Sequence, residues 1–373
     1  MAASDDPMGH TTPSMDLSVA PCAESDRAEQ AALYNRCFGS EEGERVLPWR
    51  YDASPHGQAL SLLARTPSGQ AVSGYACSPR RVLSRGEVVG TVGQTGDVMT
   101  DPEHRGQGIF SDLDRRAMSE AAERGWAFVF GLPNRQSAPI FVEHLGWESV
   151  GRIRPFTFVL HADAAARAER MKVGRLAAMA TSWRAWRGNM RRGHLRDVSF
   201  DTLTSVALPR FDESLEPLMQ KVAAQWPWMV ERNADYLNWR FIDAPSGRFR
   251  AHGVFDTEGA LQAFVVIQLP GSGERVGYVV DLVARDSVAW AGAMEAALGH
   301  LAKLGASVAR AHAIEGSDWE KRLRSAGFAG SKADDYKIVI VHPLDEGHAL
   351  AAVARDPASW FFTDGDRDDE LVH

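Results

Sequence analysis

Between Gly96 and Phe110 the chain changes character, from a strand-forming run to a helix-forming one, with Arg105, Gly106, Gln107 and Gly108 at the join and Ile109 and Phe110 just after it. Glycines there remove side chains where backbone must approach a ligand closely. The first N–H groups of a helix have no internal partners and carry partial positive charge, so such a turn suits a pyrophosphate. Just upstream lies Asp97, whose carboxylate is a candidate general base. The alternative is a structural carboxylate bonded to a nearby backbone N–H, and a twin at Asp281 speaks for that alternative. Downstream, Asn134 follows Leu132-Pro133. Proline cannot continue a strand ladder, so Asn134 is placed either to reach a bound molecule or to cap the helix beginning near Ser137. Ser137 and His144 share that short helix. His144 reads as a proton donor or as an ordinary helix-surface histidine.

These residues need a frame, and the hydrophobic pattern supplies one. Ala59–Arg65, Ala71–Ser78 and Val88–Met99 read as three antiparallel strands, with turns at Pro67-Ser68-Gly69 and Arg85-Gly86-Glu87. A helix over Glu24–Phe38 precedes them. Leu47-Pro48-Trp49-Arg50-Tyr51 leads to a turn at Ser54-Pro55-His56-Gly57. After the glycine turn, Ile109, Leu113, Ala117 and Ala121 share a helix face that Gly125 ends. Trp126–Leu132 follows as a strand, then the short helix, Leu145-Gly146-Trp147, and a strand over 151–160 that closes the unit.

A lone Gly-x-Gly turn is a weak signal, but the order of everything around it is specific. Arg105 and Gly108, the following helix and strand, Asn134, the short helix and Gly146-Trp147 together resemble the acyl-CoA-binding half of the GNAT superfamily of N-acetyltransferases. The likeness covers about a hundred residues. It implies acetyl-CoA as co-substrate. It also implies that the backbone of Val98, Met99 and Thr100 pairs with the pantetheine arm. In the same way it implies that Arg105 to Phe110 hold the pyrophosphate while Asn134 and Ser137 border the arm. The amine would attack the thioester directly. Phe110 departs from the family's small residue. Val142 stands where many members carry the tyrosine that protonates the leaving thiolate.

The second half repeats the first. Leu47-Pro48-Trp49-Arg50-Tyr51 recurs as Leu237-Asn238-Trp239-Arg240-Phe241, and Leu145-Gly146-Trp147 as Ala326-Gly327-Phe328. Between them come strands at Arg250–Phe255, Leu261–Leu269 and Val276–Ala284, a helix over Val288–Leu304, a strand over Ser307–Ile314, a short helix over Asp318–Ser325, and a last strand over Tyr336–His342. The expected fold is α/β (α+β), two tandem GNAT-like domains, each a mixed, mostly antiparallel sheet flanked by helices. The expected division is a disordered tail at 1–15, an N-terminal domain at 16–162 and an Arg-rich helical linker at 163–205. A C-terminal domain at 206–345 and an extension at 346–373 complete it. The second copy lacks the Arg-Gly-x-Gly turn, and Val283, Arg285 and Val288 would crowd a phosphate. One intact acyl-CoA site, in the first copy, is the expectation.

Composition narrows the rest. The 373 residues carry a net charge of −8, against a nucleic-acid-binding role. The cysteines Cys22, Cys37 and Cys77 form no metal-ligand spacing and no disulfide framework, so no metal and a cytoplasmic location are expected. No apolar run reaches the ~18 residues of a transmembrane segment. Walker, zinc-protease and nucleophile-elbow motifs are absent. The favoured reading is transfer of an acetyl group to a small primary amine, with amino sugars first by analogy. The alternatives are a non-catalytic acyl-CoA-binding protein and an aminoacyl-tRNA-dependent peptidyl transferase. Neither the acceptor nor an oligomeric state follows from these residues.

Overall fold

The computed structural model describes residues 16–160, 202–332 and 334–368. The expected tail at 1–15 and nearly all of the Arg-rich stretch lie outside them. The first half supplies β1 (Ser18–Pro21), α1 (Arg27–Phe38), α2 (Gly43–Tyr51), β2 (Leu60–Arg65), β3 (Ala71–Ser84) and β4 (Glu87–Thr100). It continues with α3 (Ile109–Glu123), β5 (Phe128–Gly131), a π-helical turn at Ile140–His144 and β6 (Glu148–Val159). The second supplies β7 (Thr204–Leu208), α4 (Glu216–Ala223), β8 (Trp228–Val230), α5 (Ala234–Leu237) with a π-turn to Ile242, β9 (Phe249–Phe255) and β10 (Leu261–Gln268). Then follow β11 (Val276–Ala284), α6 (Ser287–Lys303), β12 (Val308–Ile314), α7 (Asp318–Ser325), β13 (Ala329–Gly330), β14 (Lys337–Pro343), α8 (Ala349–Ala354) and β15 (Trp360–Phe361).

Periodicity reports the longer elements well because most of them bury one face or both. Ile109, Leu113, Ala117 and Ala121 of α3 are all in the core. Leu261–Gln268 is buried at every position, which is why its middle, Ala263–Ile267, is continuously apolar rather than alternating. Leu47–Tyr51 differs from expectation. It is the last part of α2, with Pro48 inside the helix, not a lead-in to the turn.

The strands join in one sheet, with the order β1-β2-β3-β4-β5-β14-β6-β12-β11-β10-β9-β7 along its main path. At its centre the halves exchange strands. β14 lies antiparallel between β5 and β6, pairing Ile340 with Gly131 and Val339 with Gly151. β6 reaches across to β12, pairing Val308 with Val159 and Ile314 with Ile153. The strand expected to close the first unit therefore joins the second, and the reverse holds for the last strand. Strand pairing through backbone hydrogen bonds does not read side-chain identity, so nothing in either sequence reveals the swap.

The repeated Trp-Arg segments meet face to face. Trp49 and Trp239 stack with ring centroids 5.1 Å apart. Each indole N–H donates to the other residue's carbonyl, at 2.9 Å both ways. A duplicated segment related by an approximate two-fold axis makes such reciprocal contacts.

Candidate functional site

β4 and β5 run parallel and pair only where Gly93–Thr95 meets Val129–Gly131. β5 then ends before Pro133, while β4 continues to Thr100. The edge of β4 beyond Thr95 is thus left without its neighbour on that side, and a groove of about 830 Å³ opens there. It is bordered by Val98, Met99, Thr100, Arg105, Gly106, Gln107, Gly108, Ile109, Phe110, Asn134, Ser137 and His144. Those are the residues picked from the sequence for the cofactor, together with His144. Asp97 does not border it. Cys37 and Phe38 at the end of α1, which the sequence did not suggest, form the far lip.

The turn has the geometry that demands glycine. Gly106 and Gly108 have φ of 78° and 79°. An added Cβ at either would meet nothing within 4 Å, so backbone conformation, not packing, selects glycine, and the space in front stays open. Gly108 is the N-cap of α3 and no side chain caps that helix. Its first N–H groups therefore face the groove with no capping side chain to accept from them. Arg105 folds back so that Nε donates to the Thr100 carbonyl at 3.1 Å. Phe110 turns inward, edge-on to Phe141 at 5.1 Å and stacked on Tyr75 at 6.3 Å, which accounts for a large residue there.

Asp97 sits on a β-bulge, where the β3–β4 register slips between Gly74 and Ala76, and its φ is 48°. A left-handed non-glycine residue within a strand is strained, and aspartate tolerates it better than most. Its Oδ2 accepts hydrogen bonds from Arg50 Nη1 and from the Tyr51 hydroxyl, the latter at 2.6 Å. Burial and the Asp97 charge push the Tyr51 hydroxyl well above its ordinary range, so it stays a donor. Arg50 and Tyr51 were not named as site residues. The available signal was their place in the one segment the chain repeats.

Asn134 takes up the turn role. Its Oδ1 accepts from the N–H groups of Gln136 and Ser137, both at 2.9 Å. Ser137 Oγ lies 3.2 Å from the same oxygen. His144 ends the π-turn and is exposed, and Val142 beside it is also exposed and offers no hydroxyl.

The second half keeps the frame and loses the opening. β11 and β12 pair in parallel only from Val276–Tyr278 to Val308–Arg310, so they too diverge. The corresponding cavity is about 80 Å³. Trp360, Phe361, Phe362 and Thr363 line this small remainder together with Trp290 and Trp319. The helix end is spent as well, because Asp286 caps α6 by accepting from Val288 and Ala289 N–H at 3.0 and 2.9 Å. Of the residues expected to crowd the site, Val283 and Val288 do not border this cavity. Val283 is in the core and Val288 is exposed, while Arg285, paired with Asp286, borders the small cavity that remains. Asp281, the twin of Asp97, is buried and paired with Arg232 at 2.9 Å. Among the described residues no group of three or more His, Cys, Asp and Glu is placed to hold a metal ion. None of their helices is long and apolar enough to cross a membrane.

Residues 18–150 match the model of the Acetyltransferase (GNAT) domain. A search of curated proteins found no match. Among solved structures, a conserved protein of unknown function from Enterococcus faecalis, described as a probable N-acyltransferase, superposes with a TM-score of 0.62 at 14% identity, covering 90% of this chain and 74% of that one. A GCN5-related N-acetyltransferase from Anabaena variabilis gives 0.61 at 11%, with the same coverages of 90% and 74%. A tandem GNAT protein from the clavulanic acid biosynthesis pathway gives 0.52 at 12%, covering 89% of this chain and all (100%) of that one. At these identities the likeness shows the fold: a mixed α/β architecture with a large, mostly antiparallel sheet flanked by helices, shared with GNAT proteins including a tandem one.

Proposed function

We propose that this protein is an acyl-CoA-dependent N-acyltransferase that moves an acetyl group from acetyl-CoA to a small primary amine, an amino sugar being the first candidate. One observation carries the reading: an uncapped helix N-terminus, two left-handed glycines and an unpaired strand edge all border one groove. The N–H groups from Arg105 to Phe110 receive the pyrophosphate. The free edge of β4 at Val98–Thr100 pairs with the pantetheine arm, and an amide there donates to the thioester oxygen as negative charge develops on it. The amine approaches from the α1–α2 face of β4, loses its proton, and attacks the carbonyl carbon. The C–N bond forms and coenzyme A leaves as thiolate. Asp97 holds Arg50 and Tyr51 on that face and is the carboxylate nearest the bulge. His144 at the groove rim and solvent water are the candidate proton donors for the thiolate. Among the described residues, the corresponding place in the second half leaves a cavity of about 80 Å³, which supports a single cofactor site per chain.

Gly108→Glu tests this directly. The new side chain has room in the fold but puts a carboxylate where a phosphate would lie. Calorimetry should show acetyl-CoA affinity falling about a hundredfold or more, with thermal stability lowered by about 1 kcal/mol of backbone strain. Unchanged affinity would mean that the turn does not bind the cofactor.

Val142 favours a second reading, a protein that binds acyl-CoA without turnover, since no tyrosine stands at that position. Free-thiol release from acetyl-CoA with a panel of amino sugars, polyamines and amino acids separates the two.

A further inference from the structure

We infer that the cleft of the second half has become a socket, which anchors the C-terminal segment Trp360–Asp368 as the acceptor-side wall of the first half's site, with Arg232 as the positioning residue. The inference rests on the N-acyltransferase reading above for the word acceptor, but not for the anchoring itself.

The anchor is a buried polar network. β15 pairs in parallel with β8, seating Trp360 against Trp228. Thr363 Oγ1 donates to Asp281 Oδ1 at 2.9 Å. Arg232 donates from Nε to Asp281 at 2.9 Å and from Nη2 to Asp366 at 2.7 Å. Arg232, Asp281 and Asp366 are each only 1% exposed. One guanidinium shared by two buried carboxylates has little freedom, because moving any member leaves a charge uncompensated in low dielectric. Asp364 adds a contact to β12, accepting from His312 N at 2.8 Å.

From there the segment crosses to the first half. Gln94 Nε2 donates to the Asp366 carbonyl at 2.8 Å, while Arg240 of the second half holds the Arg367 carbonyl through Nη2 at 2.9 Å. Gly96 pairs with Ala76, which packs under α1 and α2, so Gly96 is on the face the amine approaches. The Asp368 carboxylate lies so close to Gly96 that an added Cβ there would collide with it. Its charge acts on both Arg50 and Tyr34. Asp97 and Asp368 thus place two carboxylates on this face. With the Arg50 guanidinium counted, these three groups leave one net negative charge, which favours an acceptor that arrives as an ammonium ion. The divergence of β11 from β12, useless for a cofactor once closed, is what admits the segment.

Three proteins test this: the wild type, Thr363→Ala, which loosens the anchor, and Asp368→Ala, which leaves the anchor intact and removes the carboxylate. Hydrogen exchange is followed in peptides covering Gln94–Thr100 of β4 and, as internal reference, Leu261–Gln268 of β10. Thr363→Ala should speed exchange in the β4 peptide about tenfold while β10 stays as in the wild type. Faster exchange confined to β11 and β12 would overturn the inference, since a merely local role predicts that pattern. Asp368→Ala should keep the dissociation constant for acetyl-CoA within about twofold yet lose about tenfold in kcat/KM for cationic amines. Retained amine kinetics would overturn the wall. If the wild type itself fails to bind acetyl-CoA, the functional reading falls, and the exchange pattern alone decides the anchor.

Discussion

Asp114 shows what a single buried group contributes to this site. It lies on the inner side of α3, only 1% exposed, and accepts from the Tyr75 hydroxyl at 2.7 Å and from the Trp147 indole N–H at 3.3 Å. Tyr75 and Trp147 are in the core beneath the glycine turn, so this carboxyl ties α3 to the sheet and to the Gly-aromatic pair. Burial pushes its carboxyl up to about 6, despite those two donors. The folded protein therefore holds the proton more tightly than the unfolded chain. Stability from this group is fully present below pH ~4 and is lost as pH rises through ~6. Asp114→Asn should remove that slope and be more stable than the wild type at pH 7.5 by about 1–3 kcal/mol. Urea unfolding at pH 4.5, 6 and 7.5 measures it, and a wild type no less stable at pH 7.5 than at 4.5, relative to the variant, would contradict it. At this scale the sequence was partly legible. Gly106 and Gly108 are visible because glycine is the residue type that backbone conformation selects. Arg50 is not, because its role depends on meeting Asp97, forty-seven positions away in sequence.

Two helices that begin at corresponding places differ in how they begin. α3 starts at Gly108 without a side-chain cap, and α6 starts at Asp286 with one. A capped terminus is a better helix start and a worse anion site, since its donors and its positive potential are already used. Asp286→Ala should cost about 1 kcal/mol of stability in thermal melts. It should not create a second acetyl-CoA site, because Trp290, Trp319 and Trp360 still line the small remainder of the cleft. Calorimetric stoichiometry should remain at one per chain, and a value of two would refute the account of why the second half is closed. The sequence shows the missing glycines there. It does not show the closing of the cleft, which involves a segment beginning at Trp360, far downstream of the end of β11 at Ala284, that carries no motif.

For the molecule as a whole, the exchanged strands make the halves interdependent. Without the second half, β5 keeps only the short contact with β4, and β6 loses β14, β12 and β13. An unpaired central strand exposes backbone donors and acceptors together with apolar side chains, a template for aggregation. Residues 1–165 expressed alone should therefore fail to give a cooperatively melting monomer. Co-expression with residues 200–373 should restore a soluble pair that binds acetyl-CoA. Size-exclusion chromatography and circular dichroism decide it, and a stable lone 1–165 would show the exchange to be dispensable. Trp49 and Trp239 reinforce the join through two reciprocal hydrogen bonds.

What the amino-acid sequence determined by itself is local: strand and helix positions, the glycine turn before α3, the duplication, and the absence of that turn from the second copy. These follow from hydrophobic period and from the backbone freedom of particular residues, both written in short stretches of chain. What only the tertiary structure decided is partnership: which strand pairs with β5, which arginine meets Asp97, and what closes the second cleft. Backbone pairing is blind to side-chain type, and buried charges find partners through space rather than along the chain. Such choices are settled when the two halves close on each other.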